Sequence, residues 1–248
     1  MTVTHAAIEA GEAPSLAPLI DMLSADMAGV NATIIDRMAS EVPLIPQLAG
    51  HLIASGGKRM RPMMTIAGAL MTGAPPDQRA SAILLSTAVE FIHSATLLHD
   101  DVIDESALRR GQDTANALWG NDAAVLVGDF LFARAFELMV ESGDIRVLGR
   151  LSAASAQITE GEIRQMGITG KPDTAVDEYL DVIAGKTAVL FAAAAAAGAE
   201  ISGGSPEMVA AMHDYGMQLG MAFQIMDDAL DYTADADAMG QNAGGDFA

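Results

Sequence analysis

The chain has 248 residues, enough for one large domain or two small ones. Its formal net charge of −20 argues against nucleic acid as a partner, and the absence of cysteine excludes disulfides and thiolate metal sites. Alanine and methionine are abundant while aromatic residues make up 4% of the sequence, which predicts an all-α protein with closely packed helices.

The N-terminus is polar and lacks the basic and apolar regions of a signal peptide. We expect residues 1–14 to be disordered and residues 15–248 to form one domain. The longest apolar run, Thr187 to Ala199, is too short and too rich in alanine for a membrane span. We therefore expect a cytoplasmic protein without a transmembrane segment, which an apolar product could still bring into peripheral contact with a membrane.

Apolar residues recur at helical spacing along most of the chain. The pattern predicts a loop over 114–120 and helices over 15–38, 63–71, 77–104, 121–141, 145–165, 176–197 and from 206 onward. No linker divides these segments, so we expect a single bundle.

One acidic motif, D-D-x-x-D, occurs twice, each time at the end of an apolar helix. Residues three and four apart share a helix face, and carboxylates in an apolar setting are costly unless a partner neutralises them. A hard cation such as Mg²⁺ suits oxygen ligands, so the repeat predicts two metal-binding faces rather than two solvated helix ends. The residues concerned are Asp100, Asp101, Asp104, Asp227, Asp228 and Asp231.

Cations are scarce, with only three lysines in the chain. Gly56 and Gly57 precede Lys58 and Arg61 at a helix start, an arrangement typical of an anion site, although a surface turn would look similar. The pair Arg109-Arg110 follows the first acidic motif and can reach a diphosphate held there.

Two further residues, His93 and Lys186, are candidate anion ligands. His93, two turns before Asp100, could donate to a phosphate oxygen or could be a satisfied core histidine. Lys186 lies in an alanine-rich helix and needs an anion, whereas Lys171 is assigned to solvent. Together the motifs indicate a Mg²⁺-bridged diphosphate above an apolar cavity, where neutralising the leaving group helps to break a carbon–oxygen bond.

The ordered motifs GGKRMRP, HSATLLHDDVIDESALRRG, GKT and FQIMDDALD closely resemble the trans-isoprenyl (polyprenyl) diphosphate synthases. The similarity covers about 42–247 and is greatest to bacterial long-chain members, which make octaprenyl or decaprenyl diphosphate for quinone side chains. The resemblance implies an all-α bundle around a central apolar cavity (the isoprenoid synthase type I fold), usually dimeric. It also implies Mg²⁺-dependent condensation of isopentenyl diphosphate with an allylic diphosphate such as farnesyl or geranylgeranyl diphosphate.

The same resemblance implies roles for single residues. Asp100, Asp104 and Asp227 match metal ligands, supported by Asp101, Asp228 and Asp231. The isopentenyl diphosphate site is matched by Lys58, Arg61, His93 and Arg110. The allylic side is matched by Arg109, Lys186 and Thr187, with Gln224 nearby. Lys186 and the oxygens around Thr187 would stabilise the allylic cation, and the released diphosphate would act as the base.

Product length is set, in this family, by residues just before the first acidic motif. Here these are Ala95 and Thr96, both small, so a fifteen-carbon product is not expected and a long one is favoured.

The sequence departs from the family pattern after the second acidic motif. Gln241 stands where a lysine is expected and Gly245 where an aspartate is expected, and the last helices of the domain are expected to be missing. A truncated, impaired or non-catalytic partner subunit of a synthase is therefore the alternative to an active enzyme. A terpene cyclase is disfavoured by the DDALD sequence, and an acidic helical scaffold would leave the lysine placement unexplained.

Overall fold

The computed structural model describes residues 15–54, 57–76, 79–171 and 173–233. The segment 1–14, Gln241 and Gly245 lie outside the described residues. Within these described ranges, the first half of the chain forms four helices: α1 (Ala17–Arg37), α2 (Leu44–Ala54), α3 (Met60–Met71) and α4 (Ala80–Ile103).

A short antiparallel hairpin, β1 (Leu108–Arg109) and β2 (Gln112–Asp113), follows α4. The remaining elements are α5 (Ala115–Trp119), α6 (Asn121–Glu141), α7 (Ile145–Ile168), α8 (Val176–Ile183), a π-helical turn (Ala184–Ala188), α9 (Val189–Ile201) and α10 (Pro206–Thr233). The all-α bundle predicted from composition is confirmed.

Helices α4 and α9 form the centre of the bundle. Helix α4 packs against α1, α3 and α6, and α9 packs against α3, α7 and α10. The small residues of α9 allow its backbone to approach that of α3 very closely. At Gly198, for example, an added Cβ would lie 1.8 Å from the carbonyl oxygen of Thr65 on α3. Small residues thus replace the large aromatic core that this chain lacks.

Two described helical stretches, Ala80–Ile103 and Val176–Ile201, are long and apolar enough to cross a membrane by length and composition alone, although we expected no transmembrane segment. Their most apolar windows are 67% and 83% buried within the bundle. Core helices of a bundle have this composition, so packing against neighbouring helices accounts for their apolar character.

Three local features differ from the sequence prediction. The segment predicted as a loop contains α5, and the Arg109-Arg110-Gly111 turn forms the β1–β2 hairpin. The predicted helix over 176–197 extends to Ile201 and is interrupted by the π turn at Ala184–Ala188. Such turns are rare and frequently mark functional sites, and this one carries Lys186 and Thr187.

Candidate active site

A cavity of about 1260 Å³ opens between the helices and collects most of the predicted site residues. Its wall is formed by the start of α3, the last turns of α4, the hairpin, α7, α8 with the π turn, and α10. Of the residues predicted in the sequence, the lining includes Lys58, Arg61, His93, Thr96, Asp100, Asp104, Arg109, Arg110, Lys186, Thr187, Gln224, Asp227, Asp228 and Asp231.

The first acidic motif divides into cavity-facing and buried carboxylates. Asp100 and Asp104 line the cavity. The side chain of Asp101 is 2% exposed and accepts hydrogen bonds from Nε and Nη2 of Arg109, at 3.0 and 2.8 Å to Oδ1. This two-point contact fixes Arg109 at the rim, so Asp101 positions a cation rather than facing the cavity.

The β1–β2 hairpin brings Arg109 back onto α4. The amide of Ser106 donates to the carbonyl oxygen of Asp101 at 3.0 Å, and the side-chain amide of Asn116 donates to the same oxygen at 3.0 Å. Arg110 has a φ of 51°, in the left-handed region that ordinary residues seldom adopt. The turn therefore brings two neighbouring arginines to the cavity, at the cost of an unfavourable backbone conformation at Arg110.

Asp100 lies in a crowded anionic environment. Burial raises its pKa to about 7, with further upward contributions from Glu162 and Asp104 that Lys186 and Arg109 partly oppose. Lys186 lies between these groups, with its Nζ 3.0 Å from Oε2 of Glu162. Burial disfavours its charge, but attraction to Asp100 and Glu162 outweighs burial and raises the pKa of Lys186. The lysine is thus charged and aimed at the first acidic motif.

Close contact between α7 and the π turn positions Lys186. A Cβ on Gly161 of α7 would lie 2.5 Å from the backbone nitrogen of Lys186 and 2.8 Å from the carbonyl carbon of Gly185. Because only glycine permits this approach, Gly161 sets the depth at which Lys186 enters the cavity.

The second acidic motif lies on the opposite wall, near the end of α10. Asp227 faces the cavity, and burial together with repulsion from Asp228 and Asp231 raises its pKa, against the opposing pull of Arg110 and Lys58. Asp231 is 6% exposed, and its buried Oδ2 has no hydrogen-bond partner among the described residues. This wall therefore holds more negative charge than its neighbours neutralise.

A chain of hydrogen bonds connects the π turn to this motif. The hydroxyl of Thr187 donates to Oε1 of Gln224 at 2.9 Å, and Nε2 of Gln224 donates to Oδ1 of Asp228 at 2.6 Å. The hydroxyl of Tyr179 donates to the other oxygen, Oδ2 of Asp228. Burial and the bond to Asp228 raise the pKa of Tyr179, so its hydroxyl remains a donor. Both oxygens of Asp228 are therefore engaged by neutral groups.

The basic end of the cavity is built around Arg61. Its Nη1 donates to Nε2 of His93 at 3.1 Å, and its guanidinium lies 4.4 Å above the ring of Phe191. Burial lowers the pKa of Arg61 to about 10, with Glu90 acting in the opposite direction, and its buried Nε has no hydrogen-bond partner within the part of the chain that the structure describes. Burial and the nearby arginines lower the pKa of His93 well below its usual value. His93 is therefore neutral, and an anion would satisfy Arg61.

A buried carboxylate supports this basic group. Glu90 on α4 is 6% exposed and is paired with Arg59, which has a left-handed φ of 49° immediately before α3. Burial raises the pKa of Glu90, while Arg59 and Arg61 lower it. Glu90 thus anchors the GGKRMRP segment to α4.

The donors suit a hard cation that a substrate helps to hold. Among the described residues, no three His, Asp or Glu side chains are grouped closely enough to bind a metal ion alone. Mg²⁺ commonly takes one or two carboxylates, several waters and substrate phosphates. The raised pKa of Asp100, the partnerless Oδ2 of Asp231 and the purely oxygen donor set fit such an ion.

Two predicted residues lie away from the cavity wall, and several contributors were missed. Asp101 and Ala95 are buried behind the wall. Lys171, assigned to solvent, is exposed but lies on the cavity rim, where its Nζ donates to the carbonyl oxygen of Gly167 at 2.5 Å. Glu90, Glu162 and Tyr179 also line the cavity, although no motif in the sequence predicted them. Only Glu90 carried a signal, since it is a charged residue within an apolar helix.

Comparisons with known proteins agree on one family. The polyprenyl synthetase family model matches residues 42–248. Octaprenyl diphosphate synthase of Escherichia coli (strain K12) is 45% identical over 233 residues, which cover 94% of this chain and 71% of that protein. An all-trans-nonaprenyl-diphosphate synthase (geranyl-diphosphate specific) of Rhodobacter capsulatus is 45% identical over 90% of this chain and 67% of its own length.

Solved structures give the same answer. A polyprenyl synthase from Caulobacter crescentus CB15, complexed with calcium and isoprenyl diphosphate, is 52% identical with a TM-score of 0.90, covering 95% of this chain and 71% of that one. A decaprenyl diphosphate synthase from Rhodobacter capsulatus is 50% identical with a TM-score of 0.86, covering 94% and 71%. The chain therefore belongs to the polyprenyl synthetase family and is a prenyltransferase that condenses isopentenyl diphosphate with an allylic diphosphate.

Proposed function

We propose that this prenyltransferase makes a long-chain all-trans polyprenyl diphosphate of the octaprenyl or decaprenyl type, destined for a quinone side chain. The observation that carries the proposal is the cavity, whose volume of about 1260 Å³ exceeds the roughly 300–1,000 Å³ of ordinary small-molecule sites. Thr96, a small residue, lines it just before the first acidic motif. The named products of the octaprenyl and decaprenyl relatives support the same range.

Mg²⁺ is the proposed cofactor, held by Asp100 and Asp104 on one wall and Asp227 on the other. When bound, it would neutralise the diphosphate leaving group of the allylic substrate. Asp228 and Asp231 support this arrangement from α10, and Asp101 supports it by holding Arg109. Burial, followed by repulsion from neighbouring carboxylates, raises the pKa values of Asp100 and Asp227, and a cation between the walls would relieve both effects.

Isopentenyl diphosphate is proposed to bind at the basic end of the cavity. Lys58, Arg61, His93 and Arg110 all line it there. The guanidinium of Arg61 supplies donors there, and the neutral His93 orients it by accepting from Nη1. Phe191 supports Arg61 from below through a cation–π contact.

The reaction centre is proposed to lie between these two groups of residues. Lys186 and Arg109 would stabilise the departing diphosphate. Because Lys186 is positively charged, the stabilisation of the allylic cation that the resemblance implied for it falls instead to the oxygens around Thr187. Thr187, whose hydroxyl hydrogen is engaged by Gln224, would offer oxygen lone pairs to the allylic cation. The double bond of isopentenyl diphosphate then attacks that cation, and the released diphosphate accepts the proton that is lost.

Assembly and location are further parts of the proposal. We propose a homodimer formed through the outer face of α6, where Leu126 and Val140 are 66% and 65% exposed. Farnesyl or geranylgeranyl diphosphate is the proposed allylic substrate. The proposed location is the cytoplasm, with peripheral membrane contact through the product.

The test is incubation with farnesyl diphosphate, labelled isopentenyl diphosphate and Mg²⁺, with and without EDTA, followed by chromatography of the dephosphorylated products. Prenyl chains of forty or more carbons that form only with free Mg²⁺ are expected (about eight or ten isoprene units, as in the named relatives). Short products alone would contradict the proposed length, and EDTA-resistant synthesis would contradict the proposed cofactor.

A second candidate is a subunit that requires a partner chain. One relative, 37% identical over 94% of this chain, is named heptaprenyl diphosphate synthase component 2, from Geobacillus stearothermophilus. Gln241, in place of the expected lysine, also favours this candidate. Activity that appears only after mixing with an intact homologue would support it, and Gln241→Lys is the first repair to try.

A further inference from the structure

We propose that Tyr179 is a positioning residue for prenyl transfer: with Thr187, it holds Gln224 and Asp228 of α10 in the orientation that the allylic diphosphate site requires. This inference rests on the proposed function. It assigns a role to a residue that no acidic or basic motif includes.

Two hydrogen bonds join the element formed by α8 and the π turn to α10, and each side contributes two residues. Tyr179 and Thr187 lie eight residues apart on the continuous α8 and π-turn element. Gln224 and Asp228 lie four residues apart on one face of α10. Tyr179 donates to Asp228 and Thr187 donates to Gln224, so the two elements are joined at both ends of the contact.

The hydrogen bonds form one directed chain. Asp228, as a carboxylate, only accepts, so both its partners must donate. Gln224 uses Nε2 for Asp228 and therefore presents Oε1 to Thr187. This orientation commits the hydrogen of the Thr187 hydroxyl to Gln224 and leaves the lone pairs of that hydroxyl unused by the hydrogen-bond chain. Asp228 thus determines the direction of the chain.

Tyr179 keeps Asp228 in that position. Asp228 is 9% exposed, so a lost donor is poorly replaced by water. If Oδ2 loses its donor, the carboxylate lowers its free energy by rotating toward the positively charged side chains of the cavity. That rotation would break its contact with Gln224, release Thr187 and move the neighbouring Asp227. A single hydroxyl therefore supports three cavity-lining residues.

The test uses Tyr179→Phe, which removes the hydroxyl and keeps the ring. Calorimetry with farnesyl diphosphate and Mg²⁺ measures allylic binding without turnover, and isopentenyl diphosphate binding is the internal reference. Loss of a hydrogen bond to a charged group is expected to weaken farnesyl diphosphate binding roughly tenfold. The affinity for isopentenyl diphosphate should change less than about twofold, because Arg61 and His93 make no hydrogen bond to Tyr179 or its partners among the described residues.

Tyr215→Phe is the matched control, since Tyr215 lies on α10 and is 58% exposed. It should leave both affinities unchanged. Circular dichroism at the assay temperature establishes that each variant is folded, so that a weaker affinity reports the site rather than unfolding.

A double-mutant cycle separates positioning from direct substrate contact. If Tyr179 acts through Asp228, the Tyr179→Phe/Asp228→Asn variant should bind farnesyl diphosphate as Asp228→Asn does, within about twofold. Losses that multiply in the double variant, or a Tyr179→Phe affinity equal to the wild type, would overturn the inference. If the wild-type chain itself binds no farnesyl diphosphate with Mg²⁺, the proposed function fails and the inference falls with it.

Discussion

The two walls of the cavity carry the same acidic motif but stabilise its buried aspartate with different partners. On α4, Asp100 faces the cavity while the next residue, Asp101, is buried. On α10, Asp227 and Asp228 both line the cavity, but Asp228 is only 9% exposed and both of its oxygens accept hydrogen bonds. Adjacent residues on a helix point about 100° apart, so in each pair one aspartate is open to the cavity and the other is held by protein donors in a support position.

The difference lies in what satisfies the buried carboxylate. Asp101 is held by a cation, Arg109, which the hairpin returns to the wall. Asp228 is held by the neutral donors Tyr179 and Gln224. The α4 wall therefore pairs its buried carboxylate with a cation, whereas the α10 wall leaves its buried carboxylate to neutral donors. Burial and neighbouring carboxylates nevertheless raise the pKa of the cavity-facing aspartate on each wall, Asp100 and Asp227. Identical sequence spacing thus sets geometry, while the tertiary partners set electrostatics.

The largest effect should come from the cavity-facing carboxylates, where the two walls are expected to behave alike. Asp100→Asn and Asp227→Asn each remove a proposed ligand of Mg²⁺, which should lower kcat roughly a thousandfold, equivalent to about 4 kcal/mol in the barrier. Steady-state assays over a Mg²⁺ titration measure the effect. Asp214→Asn, at a side chain that is 84% exposed on α10, is the control. A loss confined to one wall would show that the proposed metal site does not bridge them.

The support carboxylates should behave differently from one another. Asp101→Asn leaves the Arg109 guanidinium without its charged partner and is expected to destabilise the fold by about 3 kcal/mol. Asp228→Asn keeps an oxygen that can accept from Tyr179, so its cost should be nearer about 1 kcal/mol. Urea unfolding measures both free energies. Equal losses of stability would mean that the charged partner of Asp101 and the neutral partners of Asp228 are energetically equivalent, which would contradict the proposed difference between the walls.

Much of this arrangement could be predicted from the sequence. Helical periodicity predicted the order of the long helices, and the D-D-x-x-D spacing predicted the cavity-lining carboxylates of both motifs except Asp101, which is buried behind the wall. The supports could not be predicted, because Tyr179 and Asp228 are 49 residues apart and meet only when α8 packs on α10. Asp101 illustrates the same limit. Its position in the motif suggests a metal ligand, but it is paired with Arg109 because a hairpin returns Arg109 to α4. The two-residue strands of that hairpin are too short to be predicted from a strand pattern.

A smaller effect than the loss of a metal ligand is expected at His93, a titratable group on α4 that makes the stability of this wall depend on pH. Burial, together with repulsion from Arg59, Arg61, Arg109 and Arg110, lowers the pKa of His93 well below 6.5. Above pH 6.5 the histidine is neutral in both the folded and unfolded states and has no effect on stability. As the pH falls below about 6.5, only the unfolded chain takes up this proton. The free energy of unfolding should then fall by up to about 1.4 kcal/mol per pH unit.

His93→Gln should remove this contribution, because glutamine can still accept from Arg61 but does not titrate. The measurement is the difference in unfolding free energy between variant and wild type at pH 7.0, 6.0 and 5.0, since carboxylates that titrate in both proteins then largely cancel. His213→Gln, at a side chain that is 40% exposed on α10, should leave the slope unchanged. Parallel curves for wild type and His93→Gln would mean that His93 takes up a proton in the folded state. The α4 wall would then tolerate an additional positive charge beside Arg61, and its charge-based support would be weaker than its contacts indicate.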